Sequence, residues 1–327
     1  MPHEPESTTR IVSLLAILGS SIFMLFSTAA VKKNQMPAAT IGLKATSVLD
    51  VYRHPYIHAP SATPEPITSH APIPVPALLA QSYLVQLIGD AEPLLKRENS
   101  KQMRPASVTK ILTSLVGIEE LDLKAPIVFS VFAKRVGEKI SSVPAEEVFS
   151  RNDAIRMAMT ASDNDAAQAI AEAVGRNKGA FSFEHAMEIF KTITNEKAKT
   201  IGLTQSHFEN PTGLDDDNHY TTADDLFRLV AYIEKHHPEI WEFSREIAAD
   251  IHSLDGHVYH ISATNQLLSE FPGLIGGKTG LTDAAKGTLV LLYPIRPNRT
   301  AVIVILGSVD RFEDGRLLIR WLDQAFQ

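Results

Sequence analysis

The sequence predicts an α/β fold, with an antiparallel sheet flanked by helices and a helical subdomain. Three observations carry that expectation. Strand-like runs stand at both ends of the folded region, Tyr83–Ile88 early and Thr288–Tyr293 with Ala301–Leu306 late. Between them lie runs with helical periodicity and helix-start signals, Ser150-Arg-Asn-Asp153 and Thr222-Ala-Asp-Asp225. The two late runs are apolar almost throughout and are joined by Pro294–Thr300, so they read as a hairpin whose partners come from far away in the chain.

The elements follow in order. Residues 1–10 are a short tail. Ile11–Val31 reads IVSLLAILGSSIFMLFSTAAV, without charge or proline. At about 1.5 Å per residue it spans roughly 30 Å, a bilayer core. No face is polar, which argues against a buried core helix. Ser27, Ala29 and Ala30 could supply a signal-peptide cleavage site. The run is longer than a usual signal core, so a membrane anchor is the preferred reading, with the rest of the chain outside the cytoplasm. Residues 32–77 carry Pro60, Pro64, Pro66, Pro72, Pro74 and Pro76 among small polar residues, the composition of an extended tether.

The folded domain is expected over 78–327. Tyr83–Ile88 is a strand, Gly89-Asp-Ala91 its turn, and Pro93–Arg97 the return strand, with proline at its first position. After Pro105 a helix carries Val108, Ile111, Leu112, Leu115 and Val116 on one face. Ser150 opens a helix to about Thr160. A second, Ala166–Val174, stops at Gly175. Thr222 opens another through Ile233, and a last helix covers Arg316–Phe326.

Composition narrows the chemistry. The 327 residues are 44% hydrophobic and 21% charged, with a net charge of −7 spread along the chain. No basic block points to nucleic acid. The absence of cysteine excludes thiolate zinc, iron–sulfur and disulfide chemistry.

Three short motifs carry the rest. In Ser107-Val-Thr-Lys110, at a helix start, the hydroxyl and ammonium three residues apart share a face. A serine is a poor nucleophile until a neighbour takes its proton, and a lysine can do so when burial and nearby positive charge loosen its own. Alone, such a pair is usually a solvated surface pair. Ser162-Asp-Asn164 lies between two helices, where a hydroxyl can relay a proton and an amide can hold a carbonyl; alone it is an ordinary turn and cap. Gly276-Gly-Lys278-Thr-Gly280 precedes the apolar hairpin, where a lysine attracts a carboxylate and glycines let a substrate backbone approach. A phosphate-binding loop is excluded, because its first glycine would fall at Pro272 and a strand follows. His257-x-x-His260 raises a zinc peptidase, but it lacks the intervening glutamate and sits in an alternating, strand-like context.

Taken together and in this order, the three motifs are the signature of penicillin-binding proteins and class A β-lactamases. Their surroundings are more specific. Pro105-Ala-Ser107-Val-Thr-Lys110-Ile-Leu-Thr, Met159-Thr-Ala-Ser162-Asp-Asn164-Asp-Ala-Ala and Asn210-Pro-Thr-Gly-Leu214 with Asp217-Asn-His-Tyr-Thr-Thr-Ala resemble the low-molecular-mass D-alanyl-D-alanine carboxypeptidases. The resemblance runs from about residue 80 to the C-terminus and implies a β-lactamase/transpeptidase-like fold. It implies that Ser107 attacks the bond between the terminal D-alanines of a peptidoglycan stem peptide, with Lys110 as base. Ser162 would relay the proton and Asn164 position the substrate. Lys278, Thr279 and Gly280 would hold the carboxylate side, and the N–H groups of Ser107 and Leu281 the oxyanion. Arg316 would stand near the terminal carboxylate. Water would release the acyl-enzyme, with no metal or organic cofactor, and β-lactams would be covalent inhibitors. The enzyme would sit at the cell membrane on its N-terminal anchor, with its catalytic domain on the periplasmic or cell-wall side.

Two departures flank the cleft: Ala285-Lys286-Gly287 where the family has an Ala-Gly pair, and a glycine-poor Gly137–Pro144. Two relatives of this chemistry compete with the carboxypeptidase. A DD-endopeptidase cutting cross-links uses the same residues. A class A β-lactamase needs a Glu-x-x-x-Asn loop, and none stands between Ser162 and Lys278.

Overall fold

The apolar hairpin near the C-terminus organises the sheet. The computed structural model describes residues 73–135, 142–296 and 299–326. Strands β1 (Ser82–Leu87), β2 (Leu95–Arg97), β7 (Gly276–Thr282), β8 (Lys286–Arg296) and β9 (Arg299–Ser308) form one antiparallel sheet in the order β2-β1-β9-β8-β7. The first strand in sequence therefore pairs with the last, Leu84 opposite Val304, as the separated runs predicted.

Alternation along each strand divides the core between two faces. Leu84, Val290, Leu292, Val302 and Val304 face one cluster with helices α1 (Lys110–Glu120), α3 (Asn164–Asn177) and α5 (Ala223–His236). Val85, Leu289, Leu291, Ile303 and Ile305 face the other, closed by Leu318, Ile319 and Leu322 of α8 (Arg311–Ala325). Both faces are covered, which is why β8 and β9 lack polar alternation.

The remaining elements build the helical region. They are β3 (Pro126–Val128) paired with β4 (Val148–Ser150), then α2 (Arg151–Arg156) and α4 (Phe183–Ile201). After α5 come α6 (Glu239–Ser244), the hairpin β5 (Ala248–His252) with β6 (Val258–Ser262), and α7 (Leu267–Glu270). The two cap signals act as read. Ser150 accepts from the Asp153 N–H and Thr222 from the Asp225 N–H.

Several expectations need correction. The helix expected to stop at Gly175 begins at Asn164 and runs to Asn177. A Cβ on Gly175 would lie 2.4 Å from the Ala186 Cα, so this glycine permits close approach of α3 and α4 instead of ending α3. The helix from Ser150 changes at Met157 into a single π-turn, Met157–Ala161. The return strand begins at Leu95, not Pro93. The loop read at Pro294–Thr300 is largely strand, with Pro294 opposite Thr300 beside a register irregularity that accommodates its missing N–H. The final helix begins five residues before Arg316.

All described residues fall within one unit, Ile67–Gln327. The apolar run 11–31 and nearly all of the tether lie outside the described residues. Among the described residues no helix is long and apolar enough to cross a membrane.

Candidate active site

Ser107 sits on a 3-10 turn, Ala106–Thr109, that runs directly into α1. Ala106 holds φ at 50°, a left-handed conformation that costs a residue with a Cβ about 1–3 kcal/mol. Neighbouring segments brace the turn. Thr288 donates its hydroxyl to the Pro105 carbonyl at 2.9 Å. Gly213, itself at φ +86°, lies so close that a Cβ there would stand 1.8 Å from the Ala106 oxygen. Gly280 of β7 backs onto the same turn, and a Cβ on it would lie 2.8 Å from the Ser107 nitrogen.

Lys110, the first residue of α1, is fully buried and brings the first two motifs together. Its Nζ donates to Ser107 Oγ at 2.9 Å, Asn164 Oδ1 at 2.7 Å and the Thr212 carbonyl at 2.8 Å. Those three acceptors match the three protons of an ammonium. A neutral amine in the same place keeps two donors for Asn164 and Thr212 and turns its lone pair toward the Ser107 hydroxyl.

Ser162 follows the π-turn in a left-handed conformation, φ 60°, and is buried. Asp163 then caps α3 by accepting from the Ala166 N–H at 3.1 Å, which makes Asn164 the first helical residue. Burial pushes the Asp163 carboxyl up to about 6, aided by Asp165, against the pull of the Ala166 N–H and Lys110. The cap therefore carries its full charge only above that pH.

The third motif lies on β7, paired with β8 on one side and forming an edge of the sheet. Thr279 Oγ1 is 2.6 Å from Thr264 Oγ1. Lys278 is buried, with its Nζ donating to the Thr279 carbonyl at 2.9 Å. Leu281 is 63% exposed at the mouth. Ser107, Ser162, Asn164, Thr279, Gly280 and Leu281 line one cleft of about 490 Å³, with Thr264 and Arg311 also in its wall.

Arg316 does not join them. Its guanidinium forks onto Glu270, at 2.7 and 2.8 Å, and also reaches Glu313. Arg311, one and a half turns earlier, lines the cleft. Among the described residues no carboxylate forms an ion pair with Arg311, and its buried Nε has no partner. Gly287 lies against its side chain, since a Cβ there would meet the Arg311 Cβ at 3.1 Å. The signal for Arg311 was positional only: it opens the helix after the last strand.

The two histidines of the zinc reading bind carboxylates instead of converging. His257 is 2.8 Å from Glu147 and His260 2.9 Å from Asp250 on the exposed β5–β6 hairpin. Among the departures, Lys286 turns β7 into β8 at φ 58°, while residues 137–141 lie outside the described residues.

The assembled cleft holds what acyl transfer needs: a hydroxyl on a buried amine, a second hydroxyl, an amide, an open strand edge and a cation. Comparison with known proteins agrees. The D-alanyl-D-alanine carboxypeptidase family matches residues 69–309. The D-alanyl-D-alanine carboxypeptidase DacF of Bacillus subtilis is 30% identical over 71% of this chain, which spans 58% of that relative's length. A D-alanyl-D-alanine endopeptidase of Pseudomonas aeruginosa is 30% identical over 81% of this chain and 83% of its own. A solved D-alanyl-D-alanine carboxypeptidase from Mycobacterium tuberculosis superimposes with a TM-score of 0.67 at 26% identity, covering 78% of this chain and 95% of that one. By its motifs, its fold and its match along most of its length, the chain belongs to the D-alanyl-D-alanine carboxypeptidase family of serine peptidases.

Proposed function

We propose that this chain is a serine-type DD-carboxypeptidase that removes the terminal D-alanine from peptidoglycan stem peptides. The observation that carries the reading is Lys110 Nζ, buried and 2.9 Å from Ser107 Oγ. Ser107 Oγ attacks the carbonyl carbon of the penultimate D-alanine while its proton passes to Lys110. The oxyanion is held by the N–H groups of Ser107 and Leu281. Ser162 passes the proton to the leaving nitrogen, the C–N bond breaks, and D-alanine departs. Water then adds to the ester and restores Ser107. Asn164 orients both Lys110 and the substrate, and the β7 edge from Lys278 to Leu281 receives the substrate backbone. The run at 11–31 would hold the enzyme at the membrane, with the segment to residue 77 as tether and the catalytic domain outside the cytoplasm.

Arg311, in place of Arg316, is the cation for the terminal carboxylate. Arg311→Gln is expected to raise KM roughly 10- to 150-fold, the value of hydrogen bonds to a charged group worth about 1.5–3 kcal/mol. A substrate with an amidated C-terminus should be indifferent to the change. Equal losses on both substrates would remove Arg311 from this role.

A DD-endopeptidase remains the second reading, favoured by the Pseudomonas relative of that name. One experiment separates the two. The enzyme is incubated with a stem pentapeptide and with a cross-linked stem-peptide dimer, and the products are weighed by mass spectrometry. D-alanine released from the pentapeptide supports the carboxypeptidase; dimer cleavage with an intact pentapeptide supports the endopeptidase. In the same samples penicillin should add to the peptide containing Ser107. An adduct elsewhere counts against both.

A further inference from the structure

The loop after Asn210 carries a histidine that the reaction above does not use. His219 is buried, and its Nε2 lies 3.0 Å from Thr109 Oγ1. The same Thr109 hydroxyl donates to the Ala106 carbonyl at 2.9 Å. A hydroxyl has one proton, and a carbonyl can only accept. With that proton directed at Ala106, the contact between Thr109 and His219 fits the Nε2–H tautomer, in which Nε2 donates to the Thr109 oxygen. Its Nδ1 is buried without a partner, which a bare lone pair tolerates and a second N–H would not.

The bonds end on Ala106, the residue held at φ 50° immediately before the nucleophile. Other contacts join this loop to the same helix start. Pro211 accepts from Thr113 at 2.7 Å, Thr212 accepts from Lys110 at 2.8 Å, and Gly213 closes on the Ala106 carbonyl. From this loop, His219 supplies the side-chain bond to Thr109, whose hydroxyl closes onto the strained turn.

We propose that His219 is a positioning residue, a fixed neutral donor that locks Thr109 onto Ala106 and so sets where Ser107 Oγ stands relative to Lys110. The surroundings keep it neutral. Burial pushes the imidazole down to about 4, against Asp216 and Asp215, while His207 and Arg104 add to the lowering. Phe208 covers it edge-on, with ring centroids 5.6 Å apart.

The inference rests on the acyl-enzyme reading, and the test keeps the two apart. In the full chain, His219→Leu is expected to lower kcat and the penicillin acylation rate about 100-fold, the cost of a nucleophile displaced by about an ångström. KM and the initial noncovalent affinity should stay near their original values. His219→Gln, which returns an N–H near the place of Nε2, should recover most of the rate. Nitrogen NMR of the unsubstituted protein should show the Nε2–H tautomer. An Nδ1–H tautomer, a folded Leu variant acylating at the full rate, or a Gln variant no better than Leu each overturns the proposal. Should the Leu variant fail to fold, Thr109→Val against Thr109→Ser decides: the first should lose the rate and the second keep it. An unsubstituted chain that penicillin never acylates would sink the peptidase reading itself.

Discussion

Ser107→Ala is expected to yield a folded protein that releases no D-alanine and takes up no β-lactam. The substitution removes one oxygen from a turn whose backbone is held from outside, by Thr288 on Pro105 and by the close approach of Gly213 and Gly280. Alanine fits this space, and Lys110 keeps Asn164 and the Thr212 carbonyl as acceptors. The fold should survive, while the hydroxyl proposed to form the ester is gone. Loss of a serine nucleophile costs on the order of a millionfold in kcat. Intact-mass spectrometry after penicillin treatment, beside a D-alanine assay, checks both halves. A variant that still forms a stable adduct would move the nucleophile to another residue, with Ser162 the next hydroxyl in the cleft.

Lys110→Arg should be nearly as severe for a different reason. A guanidinium keeps the positive charge but does not give up its proton near neutral pH, so it cannot accept the one from Ser107. General-base catalysis is worth about a hundredfold to ten-thousandfold, and the lost 2.9 Å contact adds misalignment. Acylation should therefore fall by at least about a thousandfold. The pocket was built for a tetrahedral donor facing three oxygens, so the planar fork will also strain the packing, and a lowered melting temperature is expected alongside. Circular dichroism distinguishes the two effects. A folded Arg variant that acylates at the original rate would take the base role away from Lys110.

The sequence showed the candidate motifs more readily than the architecture around them. Ser107 with Lys110, and Ser162 with Asn164, are short-range patterns, weak alone. Pro105, the apolar periodicity after it and the helical runs on either side of Ser162 placed them at a helix start and an interhelical loop. The β7 motif was legible only in company with the other two, because glycines before an apolar run also make an ordinary turn. Arg311 was not legible. Six residues of one helix contain two arginines, and only the position of Glu270 in space decides which is neutralised. Helix α4 was also missed, because its buried stripe is Ala186, Phe190, Thr194 and Ala198, with a single large apolar side chain. Gly175 misled for a related reason. A glycine where two helices touch and a glycine that ends a helix are the same letter.

The convergence of four segments on the nucleophile's turn has a consequence for maturation. Ser107 and Lys110 are adjacent from the moment they are synthesised. Asn164 lies 54 residues downstream of Lys110 and the Thr212 carbonyl 102 residues downstream, and Gly280 follows later still. Contacts so distant in sequence form late, after the loop-closure entropy has been overcome. A partly folded chain thus carries the serine and its lysine before the distant segments that hold them are in place. If these residues act as proposed, uptake of a β-lactam label is expected to follow completion of the fold, including the docking of β7 against the turn.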